Sequence, residues 1–385
     1  MGCYKISPCS QSALTSFTPL DGACAQRAQR VEVLRMNSSL ADAVGMTIRI
    51  FERQVTHMAT QQLNVAALPG TTFGAVVTGI DLTNLSNLEW ADIESAFNEH
   101  GLLIFRDQHL AADTQATFAK RFGSIQGGKP SGDDRAHSIS NRRPDKTVLT
   151  DQDPTWLTLS YPTRYWHADG TFGLIPPKVC MLGAASVASQ GGQTAFADMA
   201  AGYDALDQPT KDKIENLSAY HSNLAGTMRV LSKRNRKYLH SLVGDTPQEG
   251  KYGLGMSVEC PLRPMVKVHP VTGRSSLFLG RHTFGIPGMS LKESDKLLRE
   301  LEDFACRPPR IYEHDWQVGD LIVWDNRRML HRACLYDEQE ETRELLNNRV
   351  AGDTETDAGL ETTEAQRSAE VQRTELARLL SKEAS

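Results

Sequence analysis

The sequence predicts an α+β protein with a β-sandwich or jelly-roll core and flanking helices. Three observations lead there. The 385 residues are 40% hydrophobic and 23% charged, enough apolar material to bury a core in one large domain or two smaller ones. Beyond residue 177, short apolar segments alternate with turn signals such as V-T-G-R and V-G-D, a pattern of many short strands. Two windows with apolar residues at helical spacing, Ala205–Leu217 and Leu291–Phe304, interrupt those strands.

Taken in order, residues 1 to about 60 are Ser-, Ala- and Gln-rich with little periodicity, and read as a disordered extension in preference to a targeting segment. F-G-A-V-V-T-G-I-D-L then has strand character. L-E-W-A-D-I-E-S-A-F-N-E-H-G follows as a helix with Trp90, Ile93 and Phe97 on one face and Gly101 at its end. G-L-L-I-F-R-D-Q suits a buried strand, and a helix opened by Asp113 turns Phe118 and Phe122 inward, with Gly123 beyond its end. The polar stretch from Gly127 to Thr163 is too long for an ordinary connection and is a candidate lid, Lys129–Arg135 included.

Strands are expected in K-V-C-M-L-G-A-A-S-V, G-G-Q-T-A-F-A-D, M-V-K-V-H-P-V-T-G-R-S-S-L-F-L and R-I-Y-E-H-D-W-Q-V-G-D-L-I-V-W-D-N. From Thr354 the chain is acidic, then weakly amphipathic with Glu/Arg pairs three apart, able to dock or stay free. The expected organisation is an extension over 1–60, a domain over 61–353 and a charged, partly helical tail over 354–385.

Composition narrows the function classes. A net charge of −5 and a pI near 6.1 give no general pull toward nucleic acid or anionic membrane. No apolar run approaches the ~18–20 residues that span a bilayer, and the N-terminus lacks the apolar stretch of a secretory signal, so a cytoplasmic protein is expected. The seven cysteines are scattered without a C-x-x-C pair, which argues against structural zinc and redox work. Gly2 invites myristoylation, but Ile6 stands where that motif needs Ser or Thr.

The residues that carry chemistry begin at R-Y-W-H-A-D-G-T-F, Arg164 to Phe172. On a strand, His167 and Asp169 would share a face and offer a nitrogen and an oxygen to one ion. The pair alone is a common accident of composition. His331, in D-L-I-V-W-D-N-R-R-M-L-H-R-A just after an apolar strand and a D-N turn, offers a third ligand. Two histidines and a carboxylate leave open positions of the kind non-haem Fe(II) oxygenases use, whereas zinc is more often held tetrahedrally.

The segments W-H-A-D-G-T-F, G-G-Q-T-A-F-A-D-M, V-G-D-L-I-V-W-D-N-R-R-M-L-H-R-A and T-R-E-L-L-N-N-R-V-A-G-D occur in that order. With G-A-V-V-T-G-I-D-L and G-L-L-I-F-R-D-Q they resemble the taurine/dichlorophenoxyacetate dioxygenase (TauD/TfdA-like) family over about residues 63 to 353. The resemblance implies a double-stranded β-helix, that is, a jelly-roll core. It also implies a dioxygenase using Fe(II), 2-oxoglutarate and O2 to oxidise a C–H bond of a small organic molecule, releasing succinate and CO2. By that resemblance His167, Asp169 and His331 bind the metal. Arg343, twelve residues after His331, pairs with the distal carboxylate of 2-oxoglutarate, and Thr194 donates to the same group. Halogenating relatives replace the carboxylate ligand with a small residue; Asp169 is retained, so hydroxylation is the default, with desaturation or ring closure open.

Relatives acting on small sulfonates place a second arginine four residues beyond the first, where this chain has Asn347. Either the substrate is neutral or hydrophobic, or Arg349, Arg164 or Arg281 supplies the cation; Asn347 and Asn348 are candidate hydrogen-bonding groups. Trp166 is either a pocket wall or core packing. His269, His282 and His314 read as structural, the Asp325–Asn326 turn as a device that positions His331, and Arg327 and Arg328 as solvated or paired. A small-molecule substrate is expected, from catabolism or secondary metabolism, with no nucleic acid or membrane partner and with homo-oligomers possible. A metal-holding jelly-roll sensor without turnover and a cupin-type metal hydrolase remain the rival classes.

Overall fold

The computed structural model describes residues 63–126, 134–150, 153–243 and 259–381; the expected 1–60 extension and residues 127–133 and 151–152 of the candidate lid lie outside them. The chain runs β1 (Asn64–Ala67), β2 (Ala75–Thr78), α1 (Asn87–His100), β3 (Leu102–Phe105), α2 (Ala112–Ala119), β4 (His137–Ser140), β5 (Pro177–Ser186) and β6 (Thr194–Asp198). It continues through α3 (Met199–Asp204), α4 (Gln208–Ile214), β7 (Ser218–His221), α5 (Asn223–Val230), α6 (Lys233–Leu242), β8 (Leu262–Pro264), β9 (Val266–Val268), β10 (Ser275–Leu277) and β11 (Thr283–Phe284). It closes with α7 (Leu291–Ala305), β12 (Ile311–His314), β13 (Leu321–Asp325), β14 (Met329–Ala333), β15 (Glu344–Ala351), α8 (Thr354–Asp357), α9 (Thr363–Gln366) and α10 (Ser368–Ser381).

A seven-stranded sheet has the order β1-β2-β3-β13-β5-β15-β4, antiparallel except for the parallel β2–β3 pair; a three-stranded sheet, β12-β6-β14, is antiparallel. The α+β expectation stands on this mixed content. Alternation along the strands sorts the side chains into layers. One face of the large sheet, with Leu103, Phe105, Val179, Met181 and Val323, packs under Ile93 and Phe97 of α1 and Phe118 of α2. The opposite face, with Leu102, Ile104, Cys180, Leu182, Trp324 and Leu345, meets Phe196 and Met329 of the small sheet. The small sheet's outer residues Ala195, Ala197 and Leu330 are covered by α3 and α7. Each fully buried large side chain in these layers contributes roughly 1.5–3 kcal/mol.

Helix boundaries follow their caps. Ser86 and Glu89 form a capping box at the start of α1, and Gly101 ends it at φ 70. The expected helix over Ala205–Leu217 is shortened to Gln208–Ile214 because Asp207 caps it, accepting from Thr210 N at 2.9 Å. Asp113 lies within the first turn of α2 and does not open it: Ala111 is the N-cap. Helices α5 and α6 escaped the sequence reading although Ser222 and Ser232 cap them, since they are short and α6 is strongly polar. The C-terminal helix α10 docks: Leu376 and Leu379 join Leu224, Met228 and Leu239 of α5 and α6. Part of the candidate lid is a strand, for β4 pairs with β15. Among the described residues no helix is long and apolar enough to cross a membrane.

Candidate functional site

The site opens between the two facing sheets. His331 lies on β14 with its ring 4.7 Å from that of Trp324 and 6.2 Å from that of Phe196. His167 is joined to it by a single antiparallel bridge, His331 N donating to His167 O at 2.8 Å and His167 N to His331 O at 3.0 Å. That pairing brings the imidazole centroids to 4.1 Å. The strand expected under His167 and Asp169 is therefore one residue long: Asp169 opens a turn through Gly170, whose φ is 61 and where a Cβ would stand 2.8 Å from Pro177 Cδ. The turn, not strand alternation, swings the carboxylate back to the imidazoles.

His167 Nε2 and His331 Nε2 lie 3.8 and 4.0 Å from Asp169 Oδ1. One ligand atom from each residue falls within 4.8 Å of the others, and all three residues are buried, so one ion can touch all three. The donor chemistry fits a metal. His167 Nδ1 must donate to Tyr165 O, 2.8 Å away, because a carbonyl only accepts; this leaves Nε2 with its lone pair toward Asp169. His331 Nδ1 is buried without a partner. Burial pushes His167 well below the ordinary histidine range and His331 down to about 4, so both rings are neutral ligands at pH 7. Burial alone would raise the Asp169 carboxyl, but Arg349 and the two histidines outweigh it and hold the group well below the usual range.

Two neighbours fix that carboxylate. Arg349 Nε donates to Asp169 Oδ2 at 2.7 Å, leaving Oδ1 toward the imidazoles. Asn326 Oδ1 accepts from Asp169 N at 2.8 Å, and its Nδ2 donates to Asp169 O and Pro177 O. The Asp325–Asn326 turn thus grips Asp169, where the sequence reading has it position His331. Asp325 accepts from His269 Nε2 at 2.7 Å and from Arg327, so His269 is structural, as expected, and Arg327 is paired. Arg328 is buried and donates to Glu99 O, which excludes the solvated alternative. His314 is bonded to Asp320 at 3.0 Å.

Leu345, Asn347 and Arg349 alternate onto the inner face of β15, and Arg343 immediately precedes the strand. Arg343 is 9% exposed and has no ion pair among the described residues; its Nε donates to Gly192 O at 2.7 Å and one terminal nitrogen to Thr194 Oγ1 at 2.9 Å. Thr194 Oγ1 also accepts from Trp316 Nε1 at 3.0 Å. With both acceptor positions filled, the hydroxyl keeps its proton to donate elsewhere. Trp316 was invisible to sequence reasoning, as was Asn141, whose Oδ1 accepts from Arg343 N at 3.0 Å. Asn347 is buried on the inner face, with only a 3.5 Å contact to Met181 O. Asn348 faces the other way, fixed by Gln115 at 3.0 Å, so it is removed as a substrate group. Trp166 packs into the core with Ala168, Leu279 and Leu330, and Arg332 lies 4.6 Å over its ring.

Residues 64–348 match the family model described as "Taurine catabolism dioxygenase TauD, TfdA family". The chain is 42% identical over 290 residues to the (S)-phenoxypropionate/alpha-ketoglutarate-dioxygenase of Sphingobium herbicidovorans, covering 75% of this chain and 95% of that protein. It is 35% identical over 275 residues to the alpha-ketoglutarate-dependent 2,4-dichlorophenoxyacetate dioxygenase of Cupriavidus pinatubonensis, covering 69% and 90%. Among solved structures, AAD-2 in complex with Mn(II) and N-oxalylglycine superposes with a TM-score of 0.67 at 33% identity, over 78% of this chain and 100% of that one.

Proposed function

The chain belongs to the TauD, TfdA family of dioxygenases, and from that premise we propose how its residues divide the work. It is an iron(II)- and 2-oxoglutarate-dependent oxidoreductase that acts on a small organic molecule. We assign the facing sheets to a double-stranded β-helix and the metal to His167, Asp169 and His331 near its mouth. When bound, the metal supplies O2 activation coupled to decarboxylation of 2-oxoglutarate to succinate and CO2.

The protein's part is positioning. The Tyr165 carbonyl fixes the tautomer of His167, so its Nε2 lone pair would be available to the ion. Arg349 holds one carboxylate oxygen of Asp169 away from it. Arg343 receives the distal carboxylate of the co-substrate, and Thr194, unable to accept further, donates to the same group. The apolar inner layer around Trp324 and Phe196 excludes water from the reacting side. Asn347 faces the substrate space, Trp166 serves packing, and the outcome with Asp169 retained is hydroxylation. The enzyme is assigned to the cytoplasm, without nucleic acid or membrane as partner.

The observation that carries this reading is a buried His-Asp-His cluster beside a buried arginine that lacks a carboxylate partner among the described residues. Anaerobic addition of Fe(II) and 2-oxoglutarate should give the weak visible charge-transfer band of the chelate, absent in His167→Ala. (S)-2-phenoxypropionate, taken from the relatives' activity, is the first substrate to try for stimulated succinate release. No band in the wild-type protein would sink the site assignment.

A further inference from the structure

We propose that Arg281 receives the carboxylate of an acidic substrate, supplying from the segment behind His167 the anion clamp that is missing at Asn347. This rests on the dioxygenase reading above. Three arginines compete for the role. Arg164 is committed to Glu338 at 2.7 Å and lies 5.4 and 5.1 Å over the rings of Trp156 and Tyr161. Arg349 is committed to Asp169.

Arg281 differs from both. It is 9% exposed and has no ion pair among the described residues. Its NH1 makes only long contacts with neutral groups, 3.2 Å to Thr227 Oγ1 and 3.4 Å to Asn223 Oδ1 on α5, and its Nε is buried without a partner. A buried cation with such partners is expensive to keep, and folds retain one where an anion will arrive.

Its backbone fixes where it sits. Arg281 N donates to Trp166 O at 2.8 Å, and a Cβ on Gly280 would stand 3.3 Å from His167 Cα, so the segment lies directly against the metal-binding strand. With Arg343 assigned to the co-substrate, Arg281 is a buried cation beside the site without an ion pair among the described residues; the carboxylate within its electrostatic reach, Asp169, is already held by Arg349. A planar guanidinium flanked by an amide and a hydroxyl matches the fork of a carboxylate.

The test uses the full chain loaded with Mn(II) and N-oxalylglycine. Aryloxyalkanoic and other small monocarboxylic acids are titrated by calorimetry, each beside its primary amide. The wild type should bind at least one acid ~30-fold or more tightly than its amide. Arg281→Gln should abolish that preference and Arg281→Lys should keep part of it, while the dissociation constant of 2-oxoglutarate on the Mn(II) protein stays unchanged in both. A wild type indifferent between every acid and its amide, or an Arg281→Gln variant with the ratio intact, overturns the proposal. Should Arg281→Gln not fold, the wild-type ratio and Arg281→Lys decide. Failure of the dioxygenase reading shows separately, as absence of the 2-oxoglutarate chelate band.

Discussion

Replacing Arg343 with Gln separates co-substrate binding from folding. In the protein the guanidinium is buried, its Nε and one terminal nitrogen donate to Gly192 O and Thr194 Oγ1, and it has no ion pair among the described residues. Burial pulls its pKa down from the ordinary arginine value, a sign that the fold gains little from the charge itself. Truncating one partner of a buried, hydrogen-bonded charge pair costs about 2–5 kcal/mol. Affinity for 2-oxoglutarate should therefore fall roughly 30-fold at least and up to several thousand-fold. The free protein should stay within about 1 kcal/mol of the wild type, because a desolvated charge is removed along with two hydrogen bonds. Calorimetric titration of 2-oxoglutarate into the Mn(II) protein reads the first quantity, and denaturant unfolding of the metal-free protein reads the second. A folded Arg343→Gln variant that binds 2-oxoglutarate within threefold of the wild type would refute the assignment.

Three further outcomes are expected. Gly101→Ala should lose at least about 1–2 kcal/mol from the left-handed backbone at φ 70, and more because the added Cβ would meet the Arg328 guanidinium; a thermal melt lowered by several degrees checks it. Glu375→Ala should destabilise toward the lower end of about 3–5 kcal/mol, since Glu375 is 1% exposed and holds Arg378 at 2.5 and 2.6 Å, with Arg229 at 3.7 Å; unfolding unchanged in denaturant would contradict it. Burial, reinforced by Asp303, pushes the Glu302 carboxyl up to about 7, so the folded protein binds this proton more tightly than the unfolded chain. Its contribution is most favourable below pH ~4.5 and is lost as pH rises to ~7. Glu302→Gln should accordingly gain stability relative to wild type at pH 8 and none at pH 4, and equal melts at pH 8 would count against it.

The local order of the chain was legible because strand and helix periodicities and the helix stop at Gly101 act over a few residues. The same holds for the candidate ligands, since His167, Asp169, His331 and Arg343 stand in motifs whose spacing is visible along the chain. What sequence could not reveal depends on partners far apart in number. Asn326 reaches 157 positions back to hold the peptide of Asp169, and Trp316 reaches 122 back to fill an acceptor position on Thr194. Asn347 and Asn348 look alike in sequence, yet alternation on β15 sends one inward and fixes the other to Gln115. Arg164, Arg281 and Arg349 were interchangeable candidates until folding gave two of them an ion pair and left Arg281 without one among the described residues. Charge pairing is a matter of distance in space, and only the tertiary structure sets that distance.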